Sequence, residues 1–276
     1  MLIARAGVSG IGAQTIAITD VTVINPRAQA VLPHRTVVVE RRRILSIQPS
    51  SAGVPRHAHL INGKQKYLIP GLWDAHVHLT KAGVLSLGLF VANGVTGVRD
   101  MGSDFSEVAR WRSQIKAGQL VGPGIKTAGQ MLESRANVER MKREGTVEPV
   151  DRLRIGVANP EEGRAAVRRL AQEGVDHIKM RTSPDLNTFR AVAAESRQQK
   201  LPFAAHPVAS PQELMDAGLR SIEHFLTFPP VDGTRVERRA LFQKMVQSQL
   251  FMSDTGVNLE VLTALPYAEV KRHVDF

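Results

Sequence analysis

From Lys66 onward the sequence is built from short apolar segments that end on polar residues, separated by longer amphipathic ones. The short segments are YLIPGLWDAHVH (67–78), GVTGVRDM (94–101), GIKTAG (124–129), VDHIKM (175–180), PFAAH (202–206), SIEHF (221–225) and LFMSDT (250–255). Their length and β-branched content predict strands. The stretches between them, such as FSEVARWRSQIKAG and EEGRAAVRRLAQEG, predict helices, several closed by a glycine (Gly94, Gly118, Gly174, Gly218) where a helix C-terminus needs a left-handed residue. Repeated β-α units require a parallel sheet, either open and doubly wound or closed as a barrel. No G-x-G-x-x-G follows the first strand, so the dinucleotide fold lacks its fingerprint. His76, His78, Asp100, Lys179, His206 and His224 all fall at strand C-termini, and a barrel is the arrangement that gathers such ends at one mouth. The expected fold class is therefore α/β, a (β/α) barrel over residues 67–276.

The histidines carry the first chemical signal. Residues two apart on a strand point the same way, so His76 and His78 can grip one cation from one strand end. Alone, H-x-H is a weak motif, and a pair of polar strand-end residues explains it as well. His206 and His224 each close a separate apolar strand, where a lone histidine is more often a hydrogen-bonded rim residue than a ligand. Four histidines on ends that a barrel would bring together favour a metal, and neutral imidazole suits Zn²⁺ and similar ions. The chain has no cysteine, so thiolate ligands, disulfides and cysteine nucleophiles are excluded.

Lys179 is out of place in the apolar strand VDHIKM, because a buried unpaired ammonium is costly. Two readings stand. Its head group reaches solvent at the strand end. Or burial and neighbouring charge depress its pKa, and the neutral amine takes up CO₂ as a carbamate that can bridge two cations.

Residues 16–49 alternate as IAITDVTVIN, RTVVVE and RRILSIQP, with Asn25-Pro26 and Pro33 between them. They predict a small antiparallel sheet, a partial β-sandwich domain over 1–66 that needs a partner to be stable. Segment 130–158 is polar and breaks the β-α rhythm, which predicts an excursion or lid whose Arg135, Arg140 and Arg143 suit a substrate carboxylate or simply face solvent. The net charge of +10 raises nucleic acid as a partner, but the basic residues are dispersed and only 5% of residues are aromatic, leaving few platforms for base stacking. No apolar run nears the roughly 18 residues that span a bilayer, and the first twenty residues show no signal-peptide core, so a cytoplasmic protein without membrane or nucleic-acid partners is expected.

PGLWDAHVHL resembles the strand-1 motif P-G-x-x-D-x-H-x-H of the amidohydrolase superfamily. The resemblance continues through GVTGVRDMG, WRSQIKAGQLVGPGI, GVDHIKM and AGLRSIEHF, covering roughly residues 16–255 in the family's order, and points to the imidazolonepropionase-like and Xaa-Pro dipeptidase-like group. It implies a (β/α)₈ TIM barrel with a small β-sandwich. It implies that His76 and His78 bind a first metal, His206 and His224 a second, and that a carboxylated Lys179 bridges two Zn²⁺ ions. It implies a hydrolase that uses metal-activated water on a carbon–nitrogen bond of a small-molecule amide, cyclic amide or dipeptide.

The sequence departs from that pattern in two places. The family's catalytic aspartate closes strand 8, and only seven strands are legible before the chain stops at RHVDF. The expectation is thus a barrel lacking strand 8. Its open edges leave homo-oligomerisation open, and an inactive barrel that keeps its metal residues is the alternative. FMSDTG places Asp254 only thirty positions after His224, which makes it a strand-7 residue and a poor substitute for the missing acid–base group. The other departure is Val208, two residues after the strand-5 histidine, where many relatives carry a polar side chain.

Overall fold

The computed structural model describes residues 15–41, 43–146, 149–224 and 234–253. The chain divides into two compact units, Met1–Gly71 and Leu72–Phe276.

In the first unit β1 (Ile16–Asn25), β2 (Ala30–Glu40) and β3 (Arg43–Pro49) form the antiparallel meander expected from their alternation. Val21, Val23 and Val37 point to one side and make its core, with Ile18, Leu32, Val39 and Leu68 packed around them. Two short strands, β4 (His59–Asn62) and β5 (Tyr67–Leu68), then pair with β1 in parallel, an addition that segments of two and four residues are too short to announce by periodicity.

The second unit runs β6 (Leu72–Val77), α1 (Leu79–Ala82), α2 (Leu85–Ala92), β7 (Val95–Asp100), α3 (Phe105–Lys116) and β8 (Gly124–Thr127). It continues with β9 (Met131–Ser134), α4 (Arg135–Glu144), α5 (Val150–Leu153), β10 (Arg154–Val157), α6 (Pro160–Glu173) and β11 (Ile178–Met180). The last described elements are α7 (Leu186–Gln198), β12 (Phe203–Ala205), α8 (Pro211–Asp216), β13 (Ser221–Glu223), α9 (Arg235–Gln247) and β14 (Phe251–Ser253). The strands form two parallel sheets, β6-β7-β8 and β10-β9-β11-β12-β13-β14. The chain passes directly from one sheet to the other at Gly129, whose φ of +62° turns it between β8 and β9. Asp176 N–H also donates to Thr127 O at 2.8 Å across the junction.

Period-two alternation decides what lies where. On β11, β12 and β13, Ile178, Met180, Phe203, Ala205 and Ile222 enter an apolar core with Val167, Leu170, Phe189, Val192 and Leu214 from the helices. The intervening Lys179, Ala204, Ser221 and Glu223 therefore face the other side of the sheet, buried as well. Helix starts are capped by side chains as their sequences require: Asn159 accepts from Glu162 N, Asp185 from Thr188 N, and Ser210 forms a reciprocal capping box with Glu213.

Two expectations change. Segment 130–158 is not a lid made only of loop and helix: β9 and β10 enter the sheet, and Met131, Leu132 and Glu133 are buried. Its polar composition conceals this because the buried members include a charged residue. The expected barrel lacking strand 8 is seen only in part: the described residues make an α/β unit of two parallel sheets, β8 and β9 fall in different sheets, and no closed barrel is formed among them. Asp254 and the segment after it lie outside the described residues. Among the described residues no helix is long and apolar enough to cross a membrane.

Asp100, at the end of β7, acts as a clamp rather than as part of the histidine cluster. Its carboxylate accepts from Leu79 N at 3.0 Å, Ser103 Oγ at 2.6 Å and Thr127 Oγ1 at 2.6 Å, tying together β7, the start of α1 and β8. Burial pushes its pKa up, and these hydrogen bonds oppose that shift. Asp100→Ala leaves three buried donors unpaired and is expected to lower the unfolding free energy by about 2–4 kcal/mol. A urea titration measures this, and a loss under about 0.5 kcal/mol would remove Asp100 from its clamping role.

Candidate metal centre

His76 and His78 leave β6 on the same side, as their spacing requires. Asp74 accepts from His76 N at 3.0 Å and fixes the backbone just ahead of the pair. His224 closes β13, and its N–H donates to Ser253 O on β14 at 3.1 Å. It does so with φ of +70°, a left-handed conformation that costs a non-glycine residue roughly 1–2 kcal/mol. His206 follows β12, and its N–H donates to Met180 O at 3.1 Å.

These four rings form a contiguous chain. Ring centroids lie 5.4 Å apart for His76 and His78, 4.7 Å for His76 and His224, and 4.7 Å for His206 and His224. Burial lowers the pKa of His78 to about 4, of His224 to about 4 and of His206 to about 2, and neighbouring positive groups, including Lys179, add to each shift. All three are neutral at pH 7, the state in which imidazole offers a lone pair.

The tautomers of the first pair follow from their partners. His78 Nδ1 lies 3.0 Å from Gly102 O, which can only accept, so Nδ1 carries the proton and Nε2 keeps the lone pair. Gly102 can hold its carbonyl there because its φ is +149° and a Cβ would sit 2.3 Å from Met131 Cγ. His76 Nδ1 lies 2.7 Å from Glu223 Oε2. Glu223 is fully buried, which by itself raises its pKa. The His76 hydrogen bond and the Arg99 guanidinium outweigh burial and hold it at about 2. An ionised carboxylate only accepts, so His76 also presents Nε2. Orientation of a ring through Nδ1 by a carboxylate or carbonyl is the usual support of a metal-binding histidine.

Lys179 lies on the same side of the sheet with no exposed surface, and its Nζ has no hydrogen-bond partner. Its neighbours in register are Ala204 and then Ser221, whose small side chains leave it room. Burial lowers its pKa from 10.5 to about 7, although Glu223 pulls the other way. The head group does not reach solvent, so the first of the two sequence readings of Lys179 is set aside.

All five predicted residues thus come together. Their nitrogens do not yet converge: as placed, no group of three or more His, Asp or Glu among the described residues has a metal-holding arrangement. Sequence reasoning missed Glu223 and Arg99. Arg99 Nη2 donates to Glu223 at 2.9 and 3.1 Å, and its Nε donates to Ala75 O at 2.7 Å. The signal was available, since Glu223 breaks an apolar strand as Lys179 does. The arginines of segment 130–158 are engaged elsewhere: Arg135 with Glu162 at 2.6 Å, and Arg140 with Glu144 at 3.0 Å, while Arg143 is exposed at the end of α4.

No protein-family model and no curated protein matches the chain. Solved structures do. A prolidase complexed with N-methylphosphonate-L-proline aligns at 21% identity and a TM-score of 0.72, over 90% of this chain and 68% of that one. Phenylurea hydrolase B aligns at 23% identity and a TM-score of 0.71, over 90% and 68%. A candidate prolidase from Bifidobacterium longum aligns at 27% identity and a TM-score of 0.62, over 77% and 54%. The chain therefore spans about half to two thirds of the length of these proteins. These solved structures share its α/β fold.

Proposed function

We propose that the chain carries the metal-binding half of a hydrolase that cleaves a carbon–nitrogen bond in a small amide or dipeptide, and that its two parallel sheets are wall segments of a (β/α)₈ barrel. The observation that carries this reading is a fully buried lysine amine with no partner, placed beside four neutral or correctly tautomerised imidazoles. A stable fold has no use for such an amine. A site that needs a deprotonated nitrogen does.

His76 and His78 would hold one cation through Nε2, and His206 and His224 a second, probed best as Zn²⁺. The rings already touch, and binding requires their nitrogens to turn toward a shared point. Lys179, largely deprotonated just above pH 7, would add CO₂ through its amine and lose a proton, giving a carbamate whose single negative charge is shared by two oxygens that could serve as metal ligands. Bound cations supply Lewis-acid polarisation of the scissile carbonyl and acidify water. The chain's own residues hold charge and orientation: Glu223 stays ionised behind His76, and Arg99 balances Glu223. Glu223, Glu133 and Asp100 are each committed to other partners, so the proton that must reach the leaving nitrogen is assigned to none of them.

Two measurements test this. Full-length protein loaded with Zn²⁺ in the presence of bicarbonate is expected to retain two cations per chain by elemental analysis. It is also expected to hydrolyse Xaa-Pro dipeptides or N-acyl amino acids faster with bicarbonate than without. Substoichiometric metal together with no turnover defeats the proposal, whereas two cations without turnover leaves a metal-binding barrel that has lost its chemistry. In metal-free protein at pH 7, Lys179→Met replaces an orphaned amine with an apolar chain of similar length. It is expected to raise the unfolding free energy by roughly 2–4 kcal/mol while abolishing retention of the second cation. A destabilised variant would show that the amine has a structural partner.

A further inference from the structure

We propose that Arg181 is the anchor for a free carboxylate on the substrate, so that the site takes N-acyl amino acids or dipeptides in preference to neutral amides. This deepens the hydrolase reading above and rests on it for the identity of the site.

Arg181 is the first residue after β11 and lies two positions beyond Lys179. Its N–H donates to Leu132 O at 2.8 Å, which extends the β11–β9 ladder by one residue and fixes its backbone. Two positions along the extended backbone from Lys179, its side chain leaves on the same side of the sheet as that amine, where it meets Glu133 of β9.

The carboxylate it faces is already served. Glu133 is fully buried, and it accepts from Arg154 Nη1 at 2.7 Å, Thr182 Oγ1 at 2.6 Å and Asn137 Nδ2 at 2.6 Å. Arg181 reaches it through Nη1 alone, at 3.3 and 3.5 Å, the long end of the hydrogen-bond range. Two guanidiniums therefore approach the Glu133 carboxylate, and Arg181 holds it by the longer contacts. The two differ in access: the Arg154 side chain is 4% exposed, the Arg181 side chain 39%. Arg181 thus keeps donors and an open face, and guanidinium is the group whose planar fork matches a carboxylate. The other arginine near the histidines, Arg99, donates to Ala75 and Glu223. A neutral cyclic amide would use none of this charge.

The test uses the full-length, Zn²⁺-loaded chain and a matched pair of probes, N-acetyl-L-proline and N-acetyl-L-prolinamide, which differ only in the carboxylate. Calorimetric binding is measured for the wild type, Arg181→Met and Arg181→Lys, and KM and kcat are measured where turnover occurs. The wild type is expected to prefer the acid. Arg181→Met is expected to weaken the acid about 10- to 100-fold, in Kd or KM, with kcat and the binding of the amide changed less than about twofold. Arg181→Lys keeps charge but loses the fork and is expected to fall between them. A thermal midpoint checks folding, and should the methionine variant fail it, the lysine variant carries the comparison. If Arg181→Met weakens both probes equally or neither, or if the wild type binds acid and amide alike, Arg181 is not the anchor, whether or not the protein hydrolyses amides. Selective binding of the acid that vanishes in Arg181→Met, without turnover in the wild type, keeps the anchor and removes the hydrolase.

Discussion

Glu223 is the residue on which the site's geometry turns. It has no exposed surface, yet it stays ionised, because it receives His76 from the end of β6, Arg99 from β7 and Ser221 from its own strand. His76 and Glu223 are 147 positions apart in sequence, so one carboxylate fixes the approach of the first and sixth predicted strands. Because an ionised carboxylate can only accept, it also dictates which nitrogen of His76 remains available. One interaction therefore sets both the spacing of the strand ends and the chemistry of the ring between them. Arg99 completes the arrangement by neutralising charge that would otherwise be expensive to bury.

Three buried ionisable groups on these sheets meet the same penalty in different ways. Glu223 is offset by charge and hydrogen bonds. Asp100 is offset by hydroxyls and a backbone amide, and its shape-matched cage ties three elements together. Lys179 has no hydrogen bond, burial outweighs the pull of Glu223 and Glu133, and its response is to give up its proton near pH 7. The first two are intelligible as structure. The third makes sense only if the amine gains a partner when the site is filled, and it is the reason the site reads as functional rather than as a polar interior.

The sequence shows its strands wherever apolar residues run together and a polar residue ends them, so β7, β8, β11, β12, β13 and β14 each fall inside the segments predicted for them. The five candidate ligands are legible for the same reason. What the sequence conceals is what breaks that correlation. β9 carries Glu133 at its centre, so a segment that is buried reads as polar, and its role in presenting Arg181 could not be seen. β4 and β5 are too short to show a period. Glu223 hides one residue before His224, where the histidine draws attention away from it. Closure of a barrel is a property of pairings between distant strands, and no local pattern encodes it.

The distribution of strain bears on the same question. His224 sits in the left-handed region at φ +70°, a place natural sequences usually give to glycine. Gly102, whose carbonyl orients His78, occupies another conformation that side chains avoid and is hemmed in by Met131. Gly102 orients the ring at one end of the chain, His224 is one of its inner members, and the orphaned amine of Lys179 lies on the same side of the sheet. A conformational cost at His224, an obligate glycine at 102 and an unsatisfied nitrogen at 179 would be unrelated defects if scattered. Gathered around four imidazoles, they are the signature of a site held in shape by an apolar core on the other face of the sheet, where Ile178 and Met180 flank Lys179, and Phe203 and Ile222 pack beside them.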